Sequence, residues 1–318
     1  MCANMLSELR NSDVIDVLSN LNRNKNFDGF DDTCLLRIMN AETAIAAAKL
    51  LPLSKAQLRQ DIFAAAMSRF SKDSGYFVEF GATDGVYLSN SYMLEKSLGW
   101  QGILAEPARE WHEALSLQRS ARIDHRCVFS RTGTEVMFRE VGPDKALSTI
   151  VEYAESDLHR LTRRIGETYA VDTVGLGDLL EQHGAPHQID FLSLDTEGSE
   201  LGILQAFDFS KYAFGAICCE HNYTDNRNGI LDILKRNRYW RVLNGISLFD
   251  DWYVHESRLS ALAEVFPRWE EVSHQNEIEP GVPQSEKDRV IAMLQETVMN
   301  LIVDRDAYKN ALEARDPS

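Results

Sequence analysis

The spacing of apolar positions changes character near residue 75. Before it, apolar residues recur at helical intervals. In "SDVIDVLSNL", Ser12 and Asp13 stand where a helix would start, and Val14, Val17, Leu18 and Leu21 follow at helical spacing. The alanine-rich "NAETAIAAAKLL" comes next, with Asn40 and Thr43 as capping residues. "SKAQLRQDIFAAAMSRF" then sets Leu58, Ile62, Ala65, Met67 and Phe70 on or near one face of a third helix. Beyond "SKDSG", short apolar runs take over. Strands are expected at 76–80, 102–106, 124–129, 134–140, 189–195, 213–220, 239–243 and 252–255. Helices such as "SNSYMLEKSLG", "EWHEALSLQR", "GLGDLLEQHG" and "NGILDILKRNR" separate most of them. This alternation predicts an α/β domain on a mainly parallel sheet covered on both faces. Such sheets bind ligands outside the carboxyl ends of their strands, so the residues just after each strand carry the functional question.

Two segments stand apart. "NEIEPGVPQSE" reads as a linker. After it, Ile291, Val298, Arg305 and Leu312 alternate with Leu294, Leu301 and Tyr308 in a seven-residue repeat, with Arg305 at a core position. A C-terminal helix is expected, serving to pair chains, to dock a partner or to pack on its own domain.

Composition narrows the partners. The 318 residues carry a formal net charge of -16, which repels phosphate backbones and anionic bilayers, so neither nucleic acid nor a membrane surface is expected to bind. No apolar run approaches the roughly 20 residues of a membrane span, and the N-terminus lacks the basic and apolar regions of a signal peptide. Cys2, Cys34, Cys127, Cys218 and Cys219 form no CxxC pair, which suits reduced thiols in a cytoplasmic protein.

The chemistry begins at "GYFVEFGATDGVYLSN". A buried strand ends in Glu79 and meets Gly81, Ala82, Thr83, Asp84 and Gly85, after which Ser89 and Asn90 could open a helix. Glycines there allow close backbone approach, and a helix start offers free N–H groups. The next strand ends at Glu106, placed to accept both hydroxyls of a ribose, or else to cap the following segment. A ribose and a glycine turn leave a nicotinamide dinucleotide or S-adenosylmethionine. The dinucleotide pattern G-x-G-x-x-G is missing, and Glu79 and Asp84 put negative charge where a diphosphate would sit. That charge suits the ammonium and sulfonium of S-adenosylmethionine.

A second cluster lies at "IDFLSLDTEGSE" and "AICCEHNYT". If those strands are neighbours, Asp195, Glu197, Glu220 and His221 converge at one edge of the cleft, instead of each acid capping its own helix. His221 or Asp195 could then take the proton from an acceptor hydroxyl. Alternatively, Asp195, Glu197, Glu220 and His221 could hold Mg²⁺ or Mn²⁺ and acidify that hydroxyl. Ser148, Thr149, Asp250, Asp251, Trp252 and Tyr253 are acceptor-side candidates.

Together "FVEFGATDGVYLSNSYMLEKSLGWQGILAEP", "ALSTI", "IDFLSLDTEGSELGILQAFDF" and "ICCEHNYT" resemble the FkbM-type, S-adenosylmethionine-dependent O-methyltransferases. The resemblance implies a Rossmann-like class I methyltransferase fold with a seven-stranded sheet, and methylation of hydroxyls on sugars, glycans or glycosylated metabolites. Its glycine turn falls on Gly81, Asp84 and Gly85, its ribose acid on Glu106, and its D-x-E-G motif on Asp195, Glu197 and Gly198. The chain departs from the pattern at Glu79 and Ser199. The organisation expected is a helical extension over 1–53, the methyltransferase domain over 54–258, a connecting segment over 259–284 and the C-terminal helix over 285–318. Two rival functions are a nicotinamide-dependent sugar oxidoreductase and a non-catalytic scaffold of the same fold in a glycan-assembly complex.

Overall fold

The computed structural model describes residues 32–141, 145–154, 163 and 166–273. All lie in the first of the chain's two compact units, Met1–Gln275. The second unit, Asn276–Ser318, holds the expected linker and heptad helix and falls outside the described residues, as does the helix expected at 12–21.

Among the described residues three α-helices precede the sheet: α1 (Asp32–Ile38), α2 (Ala41–Leu50) and α3 (Gln60–Met67). The Asn40 side chain caps α2 by accepting from the Thr43 N–H at 2.8 Å. The third helix is shorter than its apolar pattern suggested. Arg59 takes a left-handed conformation (φ 64°) immediately before it, so the turn through 54–59 cannot continue the helix. A bidentate ion pair from Arg59 to Asp32 holds that bend, with both side chains buried.

The central sheet has seven strands in the order β10-β11-β9-β8-β1-β2-β3. These are β1 (Tyr76–Phe80), β2 (Gln101–Ala105), β3 (Arg122–Asp124), β8 (Gln188–Leu194), β9 (Ala213–Glu220), β10 (Tyr239–Val242) and β11 (Asp250–His255). The sheet is mixed, so it matches the mainly parallel one expected only in part. β3, β2, β1, β8 and β9 pair in parallel, but β11 enters antiparallel between β9 and β10. The chain returns from β10 through the tight segment 243–249, which leaves no room for a helical crossover, so β11 must run back along its neighbour.

Strict alternation sorts the two faces. Phe77, Leu104, Phe191, Ala216, Cys218, Trp252 and Val254 point to a core shared with α1, α2, α3, α4 (Tyr92–Leu98) and α9 (Leu259–Val265). Phe63 of α3 stacks on Trp252 with ring centroids 4.8 Å apart. Val78, Ile103, Leu192, Ile217 and Tyr253 point the other way, onto α6 (Leu176–Gln182), α7 (Glu200–Ala206) and α8 (Asn226–Arg236).

A second sheet of four strands departs furthest from expectation. Its order is β4-β7-β5-β6, from β4 (Cys127–Phe129), β5 (Glu135–Val141), β6 (Thr149–Ile150) and β7 (Gly166–Gly175). The run 124–129, read from sequence as one strand, is two. The chain leaves the main sheet at Asp124, whose carboxylate captures the Arg126 N–H and guanidinium, and joins the second sheet at Cys127. Among the described residues no helix is long and apolar enough to cross a membrane.

Candidate functional site

The glycine turn is built by clashes that only glycine avoids. Gly81 has φ +73°, and a Cβ there would sit 2.3 Å from the Asp195 carbonyl oxygen. The turn after β1 is thereby pressed directly onto the end of β8. Gly85 (φ +84°) is closed in by Arg119 and Leu115, whose side chains would lie within 2.8 Å of a Cβ. Between them Thr83, also left-handed, donates its hydroxyl to the Tyr87 carbonyl, and Asp84 accepts from the N–H groups of Val86 and Tyr87 in a tight turn. Ala82 is fully buried. Asp84 thus shapes the turn with its carboxylate.

Glu79 is buried and serves the same loop. It accepts from the Ser89 hydroxyl, the Asn90 N–H and the Ser91 hydroxyl. Arg119, at the end of α5 (His112–Gln118), reaches over it at 3.8 Å and also bonds Glu95, Gly85 O, Ser89 and Ser91. Sequence reasoning missed Arg119, because a cation at a helix end carries no signal of a partner 40 residues upstream. Asn90 donates to the Ser193 hydroxyl at 2.9 Å. Its Oδ1 is buried without a hydrogen-bond partner among the described residues.

Glu106 lies beside the turn. One of its oxygens accepts from Thr83 N and the other from Ala108 N, each at 2.8 Å, so every oxygen keeps a lone pair for a further donor. Burial pushes this carboxyl up to about 7 despite the two backbone donors, with Glu140 and Asp195 adding repulsion.

Asp195, Glu197 and Glu220 converge, each offering an oxygen within 4.8 Å of the others. Asp195 and Glu220 stay partly open to solvent, whereas Glu197 is buried. Asp195 is raised to about 7 by desolvation and then by Glu200, and Glu220 is raised well above the usual range by desolvation and then by Asp195. Their oxygens lie within 4.8 Å of one another, so ionising one opposes ionising the other. Glu197 is committed elsewhere. With φ +59° it turns back to Arg163, 2.6 Å away, which also bonds the Leu147 carbonyl at 2.8 Å. Thr149 donates to the Glu197 carbonyl at 2.8 Å, and Tyr153 packs against Gly198. The second sheet therefore holds the D-x-E-G turn in place, a role that no periodicity in the sequence announced.

The structure does not bring His221 to this cluster. Its Nδ1 accepts from the Tyr223 N–H at 3.0 Å, and its Nε2 faces Asp251 at 3.9 Å. Burial lowers it to about 3, so it is neutral with its basic nitrogen already occupied. Asp251 is in turn held by Arg227. The expected Mg²⁺ or Mn²⁺ set is thus incomplete. His221 is turned away and Glu197 is ion-paired to the Arg163 guanidinium, so Asp195 and Glu220 are the carboxyls left uncommitted. A polar cleft of about 830 Å³, lined by Arg131, Asp178, His187 and Lys211 among others, shares no residue with this edge.

The model of the methyltransferase FkbM domain matches residues 79–255, more than half of the chain, and the chain belongs to that methyltransferase family. The matched span runs from Glu79 in the first site strand to the end of β11, and so takes in nearly all of the geometry above. A solved structure of methyltransferase FkbM from Methylobacillus flagellatus KT is similar at 15% identity with a TM-score of 0.36. That similarity covers 70% of this chain, which spans 58% of the other's length. Comparison with curated proteins gives no match.

Proposed function

We propose that the protein is an S-adenosylmethionine-dependent O-methyltransferase acting on a hydroxyl of a sugar, a glycan or a glycosylated metabolite. The carrying observation is the contact between the two halves of the site. The glycine turn rests on the backbone of Asp195, so the cofactor-side residues and the acids Asp195 and Glu220 sit at one strand edge. The residues fit the cofactor. Glu106 keeps free lone pairs for ribose hydroxyls, and the unpartnered Asn90 Oδ1 is an acceptor for an ammonium group. When bound, S-adenosylmethionine supplies a methyl group already activated on a sulfonium.

The chain's own residues then have three tasks. Gly81 to Asn90 and Glu106 orient the donor. Asp195, in its ionised form, accepts a hydrogen bond from the acceptor hydroxyl and takes its proton as the oxygen is alkylated, with Glu220 beside it. Arg163 and Thr149 keep the turn after Asp195 from drifting. The carboxyl-rich edge offers acceptors for hydroxyl groups, which supports a polyhydroxylated substrate, and the family resemblance supports a sugar. His221 is assigned a structural part.

The test combines binding and turnover. Thermal stabilisation by S-adenosylmethionine and S-adenosylhomocysteine is expected, none is expected with NAD, and the effect should shrink in Glu106→Ala. Stabilisation by NAD instead would favour the oxidoreductase. Mass spectrometry of sugar and glycan acceptors should show a gain of one methyl on oxygen, unchanged by EDTA. Cofactor binding with no methylation across a broad acceptor panel would favour the scaffold reading, and EDTA sensitivity would restore the metal.

A further inference from the structure

The turn after β9 is strained and heavily tied down. Asn222 (φ 43°) and Tyr223 (φ 55°) are successive left-handed residues, and neither is glycine. Asparagine tolerates this region, but tyrosine adopts it at a cost and stays there only where its surroundings hold it. Here they do. The N–H groups of His221 and Asn222 both donate to the Phe249 carbonyl, at 2.9 and 3.3 Å. The Tyr223 N–H donates to His221 Nδ1 at 3.0 Å, and Thr224 donates both its N–H and its hydroxyl to the His221 carbonyl. His221 is itself buried against Asp251, which Arg227 grips through two bonds of 2.9 Å. The imidazole therefore fixes the turn from inside the domain.

What the turn carries is the Asn222 amide. Its Nδ2 lies 3.4 Å from Glu197 Oε2. Glu197 in turn offers an oxygen within 4.8 Å of oxygens of Asp195 and Glu220, so the amide stands beside the proposed base. Support of Glu197 does not account for it, because Arg163 already holds that carboxylate by a charged bond of 2.6 Å. The Asn222 side chain is partly exposed, and the contact to Glu197 is its one side-chain bond among the described residues. An amide has two donor hydrogens and an acceptor oxygen, so a donor and the acceptor remain for a ligand.

Resting on the function proposed above, we infer that Asn222 is a specificity-determining residue that hydrogen-bonds the acceptor beside the oxygen being methylated. The acceptor it selects is a diol. One hydroxyl gives its proton to Asp195, and a hydroxyl on the neighbouring carbon pairs with the Asn222 amide. The amide is one hydrogen bond's length from the acid cluster, which is the reach of a neighbouring hydroxyl. A hydroxyl both donates and accepts, as the amide does, whereas a hydrogen in its place leaves the amide without a partner in the complex. His221 touches no substrate and is a positioning residue for Asn222.

Methyl-transfer kinetics on matched acceptors test this, with methyl glycosides of glucose, mannose, galactose and rhamnose as probes. Each glycoside that is methylated is compared with the deoxy analogue lacking the hydroxyl next to the methylated position. In the unmodified protein the analogue should show a kcat/KM lower by about tenfold or more. Asn222→Gly suits the left-handed backbone and removes the amide. It should bring the diol down to the level of its deoxy analogue, leave the analogue nearly unchanged, and preserve S-adenosylmethionine affinity in calorimetric titration. His221→Leu should act in the same way. His221→Asn, whose Oδ1 still accepts from the Tyr223 N–H, should keep the preference for the diol. An unchanged preference in Asn222→Gly, or an equal loss on both acceptors, overturns the inference and leaves the methyltransferase reading intact. Methylation of none of these glycosides also overturns it; with no methylation across the wider panel of sugars and glycans, the function proposed above falls as well.

Discussion

Gly81 and Gly133 make a matched pair for weighing the turn that joins the two halves of the site. Both are left-handed, at φ +73° and +76°, so alanine meets the same backbone strain at each. That strain is about 1–2 kcal/mol. The gain from stiffening the unfolded chain is also common to both and cancels in the difference. The surroundings differ. A Cβ at Gly133 meets nothing within 4 Å, whereas one at Gly81 would lie 2.3 Å from the Asp195 carbonyl oxygen, a backbone atom that cannot swing aside. Overpacking of this kind costs roughly 1–3 kcal/mol. Gly81→Ala is therefore expected to lose about 2–5 kcal/mol in all, and Gly133→Ala only the first 1–2. For a domain of this size the extra loss at Gly81 corresponds to a Tm lower by roughly 2–12 °C. Differential scanning calorimetry of both variants, beside calorimetric titration with the cofactor, measures it. Gly81→Ala should also weaken cofactor binding, since relief of the clash separates the turn from Asp195; Gly133→Ala should not. Equal Tm values for the two variants, with equal cofactor affinity, would refute the claim that the turn is pressed onto β8.

Three further outcomes are expected. Burial raises the Asp250 carboxyl to about 8 and the Asp61 carboxyl to about 6, both above their unfolded values. The folded chain therefore binds extra protons between roughly pH 4 and 8 and loses stability as pH rises through that window. Asp250→Asn keeps an oxygen for Gln60 and should raise Tm relative to the unmodified protein at pH 8.5 by about 1–3 kcal/mol in stability, but not at pH 5. Arg119→Met leaves Glu79 buried without its cation and Glu95 with Lys96 alone, and should cost about 3–5 kcal/mol in urea unfolding, while a loss below 1 would mean that the loop holds itself. Methyl transfer in the unmodified enzyme should rise with pH through about 7 as Asp195 ionises, and a flat profile between pH 6 and 8 would remove it as the base.

Much of the cofactor-side geometry was legible because it is local. β1, its glycine turn and Glu106 lie within about 30 residues, and each strand there is buried on both faces, so apolar runs mark it plainly. The convergence of Asp195 with Glu220 followed once two strands were taken as neighbours. What escaped was long-range or half-exposed. β7 opens with Gly166, Glu167 and Thr168, all exposed, so its first residues carry no apolar alternation. The break at Asp124 depends on a carboxylate holding Arg126 and His183, 59 residues away, which no local pattern reveals. Arg119 and Arg163 complete the site as counter-ions, and their partners are fixed by tertiary packing. His221 looked chemical beside Glu220, but successive strand residues point to opposite faces, and the face it was given belongs to Asp251 and Tyr223.

The three described helices ahead of the sheet close on the last described elements of the domain. Asn40 donates to the Glu264 carbonyl across 224 positions, Gln60 reaches Asp250 across 190, and Phe63 is sandwiched by Trp252 and Phe266. On a ribosome adding about 5–20 residues per second, these helices emerge roughly 10–45 s before the strand and helix that cover them. Throughout that interval Leu35, Ile62 and Phe63, all fully buried in the finished protein, lack their final partners. Nascent chains stalled before residue 250 should therefore be protease-sensitive and recruit chaperones through their first segment, and pass to resistance only when the final strand slides in beside β9.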